Sequence, residues 1–185
     1  MIFVETPIPG AYVIEIEKHR DERGFFARSW CAREFADKGL DHQLVQCNVS
    51  FNTLKGTLRG LHYQIPPYAE VKLVRCTKGS LFDVIVDLRK ESSTFLQWFG
   101  VELTASNHKM LYIPKGFAHG FQTLENDTEI FYQMSEFYVP QAACGVRWND
   151  PLFTITWPAA DRIISSKDQL YKDSRPELFE PLRNL

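Results

Sequence analysis

Hydrophobic and polar residues alternate along this chain in short runs separated by turn residues. The clearest run is Leu81 to Leu88, where Phe82, Val84, Val86 and Leu88 share one face of an extended segment and Leu81, Asp83, Ile85 and Asp87 share the other. Runs rich in Val, Ile, Phe, Tyr and Thr recur at Val71 to Cys76, Trp98 to Leu103, Met110 to Ile113, Gly120 to Leu124 and Thr128 to Met134. That spacing predicts an antiparallel sandwich or barrel. Helical signals are few. Cys31 to Lys38 predicts one short helix, with Gly39 placed to end it in the left-handed conformation. Ser165-Ser166-Lys167-Asp168 fits a capping box that opens a second helix after Ile164. The expected fold is all-β, a jelly roll or small barrel with a few short peripheral helices.

Composition narrows the class. A length of 185 residues suits one domain, residues 1–185, and 44% hydrophobic with 24% charged residues argues against disorder and against a membrane span. Lys and Arg number 21 against 23 Asp and Glu, so no whole-chain field favours nucleic acid or an anionic membrane, and any anion site must be local. The first residues, Met1-Ile2-Phe3-Val4-Glu5, show neither a basic stretch nor a long apolar run, which makes the cytoplasm the expected location. Cys31, Cys47, Cys76 and Cys144 form no Cys-x-x-Cys pair and read as reduced thiols.

Several polar residues then fall on otherwise apolar faces. An unbroken strand at Thr57 to Gln64 sets Leu58, Gly60, His62 and Gln64 on one side and Arg59, Leu61 and Tyr63 on the other. From this segment alone His62 is explained by a satisfied core histidine. Thr77-Lys78-Gly79-Ser80 has the makings of a hairpin turn, which would pair Cys76 with Leu81, Val74 with Asp83 and Lys72 with Ile85. Lys72 is then either inside the barrel and held by Asp83, or in an outward ion pair, and the pattern does not choose. Tyr132 sits beside Ile130 and Met134, and His119 follows the turn Ile113 to Ala118. Together His62, His119, Lys72 and Tyr132 make a set able to remove, stabilise and return a proton.

Gly60-Leu61-His62-Tyr63-Gln64, then Glu70 and Gly79, and Pro114-Lys115-Gly116-Phe117-Ala118-His119 resemble the two cupin motifs. Metal-binding cupins generally carry a second histidine where this chain has Gln64, a poor substitute for imidazole, so no metal is expected. A closer resemblance covers nearly the whole chain. It runs from Asp21 to Phe26 through Gln46-Cys47-Asn48, Leu58 to Gln64, Lys72 to Cys76, Asp83-Val84, Ile113 to Phe121, Tyr132, Tyr138, Trp148-Asn149-Asp150 and Ser166-Lys167-Asp168. In these blocks the chain resembles the dTDP-4-dehydrorhamnose 3,5-epimerases, metal-free cupins acting on nucleotide-linked 4-keto sugars.

The resemblance implies epimerisation at C3 and C5 of dTDP-4-dehydro-6-deoxy-D-glucose through enolates, without a cofactor. It gives His62 as base, Tyr132 as proton donor, Lys72 as enolate stabiliser and Asp168 as the carboxylate that orients the base; a helix cap alone is the plain alternative for Asp168. Arg23, Gln46, Asn48, Arg59, His119 and Lys167 resemble the substrate contacts, and Tyr138 the aromatic that stacks on the base. It also implies a homodimer, and the apolar Ile2-Phe3-Val4 suits a strand shared between copies. The chain departs from the pattern at Arg28 and in Gln141-Ala142-Ala143-Cys144, where a glutamate is common. Both departures concern binding, so the alternatives are an epimerase inverting one centre or using another nucleotide. Outside that class stand a non-catalytic sugar-binding cupin and a metal-dependent cupin oxidase or isomerase.

Overall fold

A computed structural model describes all residues, 1–185. In chain order the strands are β1 (Ile2–Glu5), β2 (Tyr12–Glu15), β3 (His19–Asp21), β4 (Gly24–Phe26), β5 (Gln46–Asn52), β6 (Thr57–Gln64), β7 (Lys72–Lys78), β8 (Ser80–Asp87), β9 (Trp98–Thr104), β10 (Met110–Ile113), β11 (Phe117–Thr123), β12 (Thr128–Met134), β13 (Ala143–Gly145) and β14 (Ile163–Ile164). Two short helices, α1 (Ala32–Asp37) and α2 (Ser166–Gln169), lie outside the sheets, and a 3-10 turn covers Pro176–Leu182. Gly39 ends α1 at φ +71°, in the left-handed region expected of it. No helix is long and apolar enough to cross a membrane.

One sheet has the order β1-β2-β10-β7-β12-β5 and the other β13-β6-β11-β8-β9, with β14 added beside β6. Their facing surfaces share one core, in which Val74, Cys76, Leu111 and Ile130 of the first sheet meet Leu81, Ile85, Leu103 and Phe121 of the second. The outer face of the second sheet is covered by C-terminal segments through Phe153, Trp157, Phe179 and Leu182. Phe35 of α1 covers the first sheet over Ile14, Leu73 and Tyr112. Both sheets are therefore covered on two faces, which is why β8 is buried at nearly every position.

Two expectations fail here. The segments β7 and β8 do not form a hairpin, because β7 is flanked by β10 and β12 while β8 is flanked by β11 and β9. Thr77 to Ser80 carries the chain from one sheet to the other, so the residues grouped on one face oppose each other across the sandwich. Second, the alternation in β6 breaks. Pairing with β11 matches His119 to His62 but Phe121 to Arg59, so a bulge falls at Gly60 and Leu61. Leu58 joins Leu61 and Tyr63 in the outer core, and Arg59 turns to the side of His62 and Gln64. Gly60 has φ +124°, and a Cβ there would lie 2.5 Å from Gly120 Cα, so only glycine fits the bulge.

Candidate active site

Between the two sheets opens a cavity of about 610 Å³. From the first sheet Gln46 and Asn48 of β5, Lys72 of β7 and Tyr132 of β12 reach it; from the second come Arg59 and His62 of β6 and His119 of β11. Tyr138 and Lys167 complete the rim. Nine residues singled out from the sequence thus meet in one place. Asp168 lies directly behind it, with Oδ1 2.7 Å from His62 Nε2 and Oδ2 accepting the Gly60 amide at 3.2 Å.

The Asp168 carboxylate is buried while His62 remains 42% exposed toward the cavity. Burial alone would raise the carboxyl; the hydrogen bond and charge of His62 and the Gly60 amide outweigh it and hold it below its ordinary value. Ionised, it only accepts, so Nε2 of His62 is the donor, and in the neutral imidazole it is Nδ1 that keeps its lone pair. The cap forms at the same time, because Ser165 Oγ accepts from the Asp168 backbone amide at 3.1 Å and leaves the carboxylate free for His62. Tyr171 was not anticipated. Its ring meets the His62 ring edge-on at 6.3 Å and occupies the space where Gly145, opposite His62 in β13, would carry a side chain.

Across the cavity the Lys72 side chain is 10% exposed, and its ammonium lies 2.8 Å from Glu70 Oε1 and donates to the His62 carbonyl at 3.2 Å. The inward placement holds, but the partner is Glu70 rather than Asp83. Asp83 instead pairs with His119 at 2.7 Å, since β8 and β11 are neighbours in the second sheet. Burial pushes the Tyr132 phenol above its ordinary value, with the Arg59 guanidinium pulling the other way, so it stays protonated near neutral pH. Arg59 is held by Asn52 Oδ1 at 2.8 Å, and Gln46 Oε1 accepts the Tyr138 amide at 3.1 Å.

A family model described as dTDP-4-dehydrorhamnose 3,5-epimerase matches residues 5–175. The chain belongs to this family. The epimerase is 45% identical over 169 residues to the dTDP-4-dehydrorhamnose 3,5-epimerase of Shigella flexneri, covering 91% of this chain and 93% of that one. The crystal structure of the Elizabethkingia anophelis enzyme superposes with a TM-score of 0.90 at 41% identity, covering 92% and 94% of the two chains. That of Bacillus anthracis, with TDP and PPi bound, gives 0.89 at 43% identity over 92% and 98%. The fold of the epimerase is accordingly a cupin-type jelly roll, one of the two architectures expected from the strand pattern and the one expected from the motif resemblance.

Arg23 stands apart from the other candidate residues. It lies on the β3–β4 hairpin, 83% exposed and paired with Asp21, and does not line the cavity of its own chain. Arg28 is likewise outside, paired with Glu34 at 2.7 Å, whereas Ala143 and Cys144 do line the cavity. The strand Ile2–Glu5 is used within the chain, paired with β2 at the edge of the first sheet.

Asp168→Asn separates the two jobs of that residue, because the cap uses only its backbone. A carboxyl held below its unfolded value contributes stability that is present above that value and lost as pH falls through the folded one. Asp168→Asn is therefore expected to unfold at lower urea than the parent at neutral pH, with the gap narrowing below about pH 3.8, the ordinary aspartate value. Urea midpoints of both proteins across that range check this; a gap unchanged in acid would assign the loss to packing.

Proposed function

We propose that the epimerase inverts C3 and C5 of dTDP-4-dehydro-6-deoxy-D-glucose to give dTDP-4-dehydro-L-rhamnose. The observation that carries this is the placement of His62 on one sheet and Tyr132 on the other, with the cavity between them. His62 Nδ1 takes the proton from a carbon beside the C4 ketone, and the bonding pair moves to leave an enolate with its charge on the C4 oxygen. Lys72 offers positive charge to that oxygen. The Tyr132 hydroxyl then protonates the same carbon from the opposite face and regains its proton from solvent, while the His62 imidazolium gives its proton up to solvent. Repetition at the second carbon completes the reaction, with Asp168 stabilising the imidazolium each time.

Arg59, His119 and Lys167 are the proposed diphosphate and sugar contacts, and Gln46 and Asn48 hold the same wall beside Tyr138, whose exposed ring suits stacking on the base. A metal has no part in this reading: the Gln64 amide is taken up by Tyr68 O, Phe137 O and the Val139 amide, and the Glu70 carboxylate by Lys72. The measurement is kcat/KM for dTDP-, UDP- and CDP-linked 4-keto-6-deoxyglucose. The dTDP sugar is expected to be preferred; preference for UDP or CDP overturns the carrier, and turnover of none overturns the function.

We also propose a cytoplasmic homodimer in which Arg23 serves the cavity of the second copy. Its hairpin exposes Phe25 and Phe26, and β5, an open sheet edge beside the cavity, exposes Val49 and Phe51. Light scattering at micromolar concentration is expected to give twice the chain mass, and Arg23→Ala to raise KM without changing that mass. A monomer with full activity contradicts the pairing.

A further inference from the structure

Lys72 is useful to an enolate only as an ammonium, and an ammonium this far from water needs a counter-charge. Glu70 is its single carboxylate partner and comes from the loop before β7, whereas Lys72 is the first residue of β7 itself. The other acids near the cavity are engaged elsewhere, Asp168 with His62 and Asp83 with His119. The remaining charged and titratable groups around the cavity are cations or neutral donors: Arg59 and Tyr63 from β6, Lys167 from α2, Tyr132 from β12, Cys144 from β13 and Tyr138 from the rim. None of them can supply the missing negative charge.

The loop that carries Glu70 is fixed on both sides. Gln64 Nε2 donates to Tyr68 O at 2.9 Å, and Val71 exchanges two hydrogen bonds with Ser135, at 2.8 Å to the hydroxyl and 3.0 Å from the amide. An ammonium has three N–H bonds. Glu70 and the His62 carbonyl take two of them, which leaves the third for the cavity. A buried pair of this kind gives little stability that two apolar side chains would not, so its presence on a cavity wall points to a use there.

We infer that Glu70 is a positioning residue of the epimerisation, holding Lys72 charged and aimed at the place where the enolate oxygen forms. This rests on the role given to Lys72 above. The isosteric Glu70→Gln removes the charge and keeps the shape, leaving a desolvated ammonium that holds its proton only in more acidic solution.

The test is the pH profile of kcat/KM for the parent, Glu70→Gln, Glu70→Asp and Lys72→Met. For Glu70→Gln the alkaline limb is expected to move down by about one pH unit, a loss of about tenfold above that limb, with activity returning toward the parent at lower pH. Glu70→Asp, which keeps the charge, is expected to retain the parent's limb with a lower plateau; it also serves if Glu70→Gln fails to fold. Superimposable profiles for Glu70→Gln and the parent, or an equal loss at every pH in both Glu70 variants, overturn the role of Glu70 and leave that of Lys72 standing. Parent-like turnover by Lys72→Met overturns the reading on which it rests.

Discussion

His62→Ala is expected to abolish the uptake of solvent deuterium at both C3 and C5, with turnover falling by at least about a hundredfold. In the proposed reaction the imidazole acts before any enolate exists, so nothing downstream can compensate for its loss. Asp168 would then be left with the Gly60 amide alone, but the cavity wall is otherwise intact. Tyr132→Phe makes the contrasting case. Its phenol acts only after the enolate has formed, and the substitution keeps the ring that packs against the core through Tyr132. Deuterium is therefore expected to wash in slowly through His62, with retention of configuration rather than inversion. Proton NMR of the sugar in deuterated buffer reads both variants. Equal deuterium uptake by His62→Ala and the parent removes His62 from its role, and normal inversion by Tyr132→Phe removes Tyr132.

Lys72→Met is the second large effect. Removing one group that stabilises an oxyanion in a partly dry site typically costs a factor of about 10²–10³ in kcat. The ammonium meets charge only when the enolate forms, so KM is expected to change little while kcat falls. Methionine fills the stem volume but leaves Glu70 buried without its partner, so thermal stability should be measured beside the rate. A loss confined to KM would make Lys72 a ground-state contact instead.

Much of the architecture was legible because alternation is set by the pleat. Met110–Ile113 and Thr128–Met134 match β10 and β12 residue for residue, and Cys31 and Lys38 flank α1 as its caps. What alternation does not carry is which strand lies beside which. It grouped Val74, Cys76, Leu81 and Ile85 correctly as one buried surface, but a face shared across a sandwich and a face shared within a hairpin have the same period. Arg59 was assigned to the wrong side for a related reason. Period two assumes an unbroken strand, and the bulge at Gly60 adds one residue and reverses every side chain before it.

The proposed catalytic set was legible as ordered blocks, and its geometry was not. His62 and Asp168 are 106 residues apart in the chain, and no local pattern joins them. Glu70 was visible only as a motif position, since a loop residue has no periodicity to show that it points inward. Arg23 shows a different limit. Its place on an exposed hairpin follows from the turn at Asp21 to Gly24, but its motif position carries no sign that the hairpin stands away from the cavity of its own chain.

One cavity is proposed to invert two carbons by proton removal on one face and return on the other. Incubating the parent enzyme with dTDP-4-dehydro-6-deoxy-D-glucose in deuterated water tests it most directly. The expected product carries one deuteron at C3 and one at C5, with both centres inverted; deuterium and inversion at one carbon only, or inversion without deuterium, would contradict it.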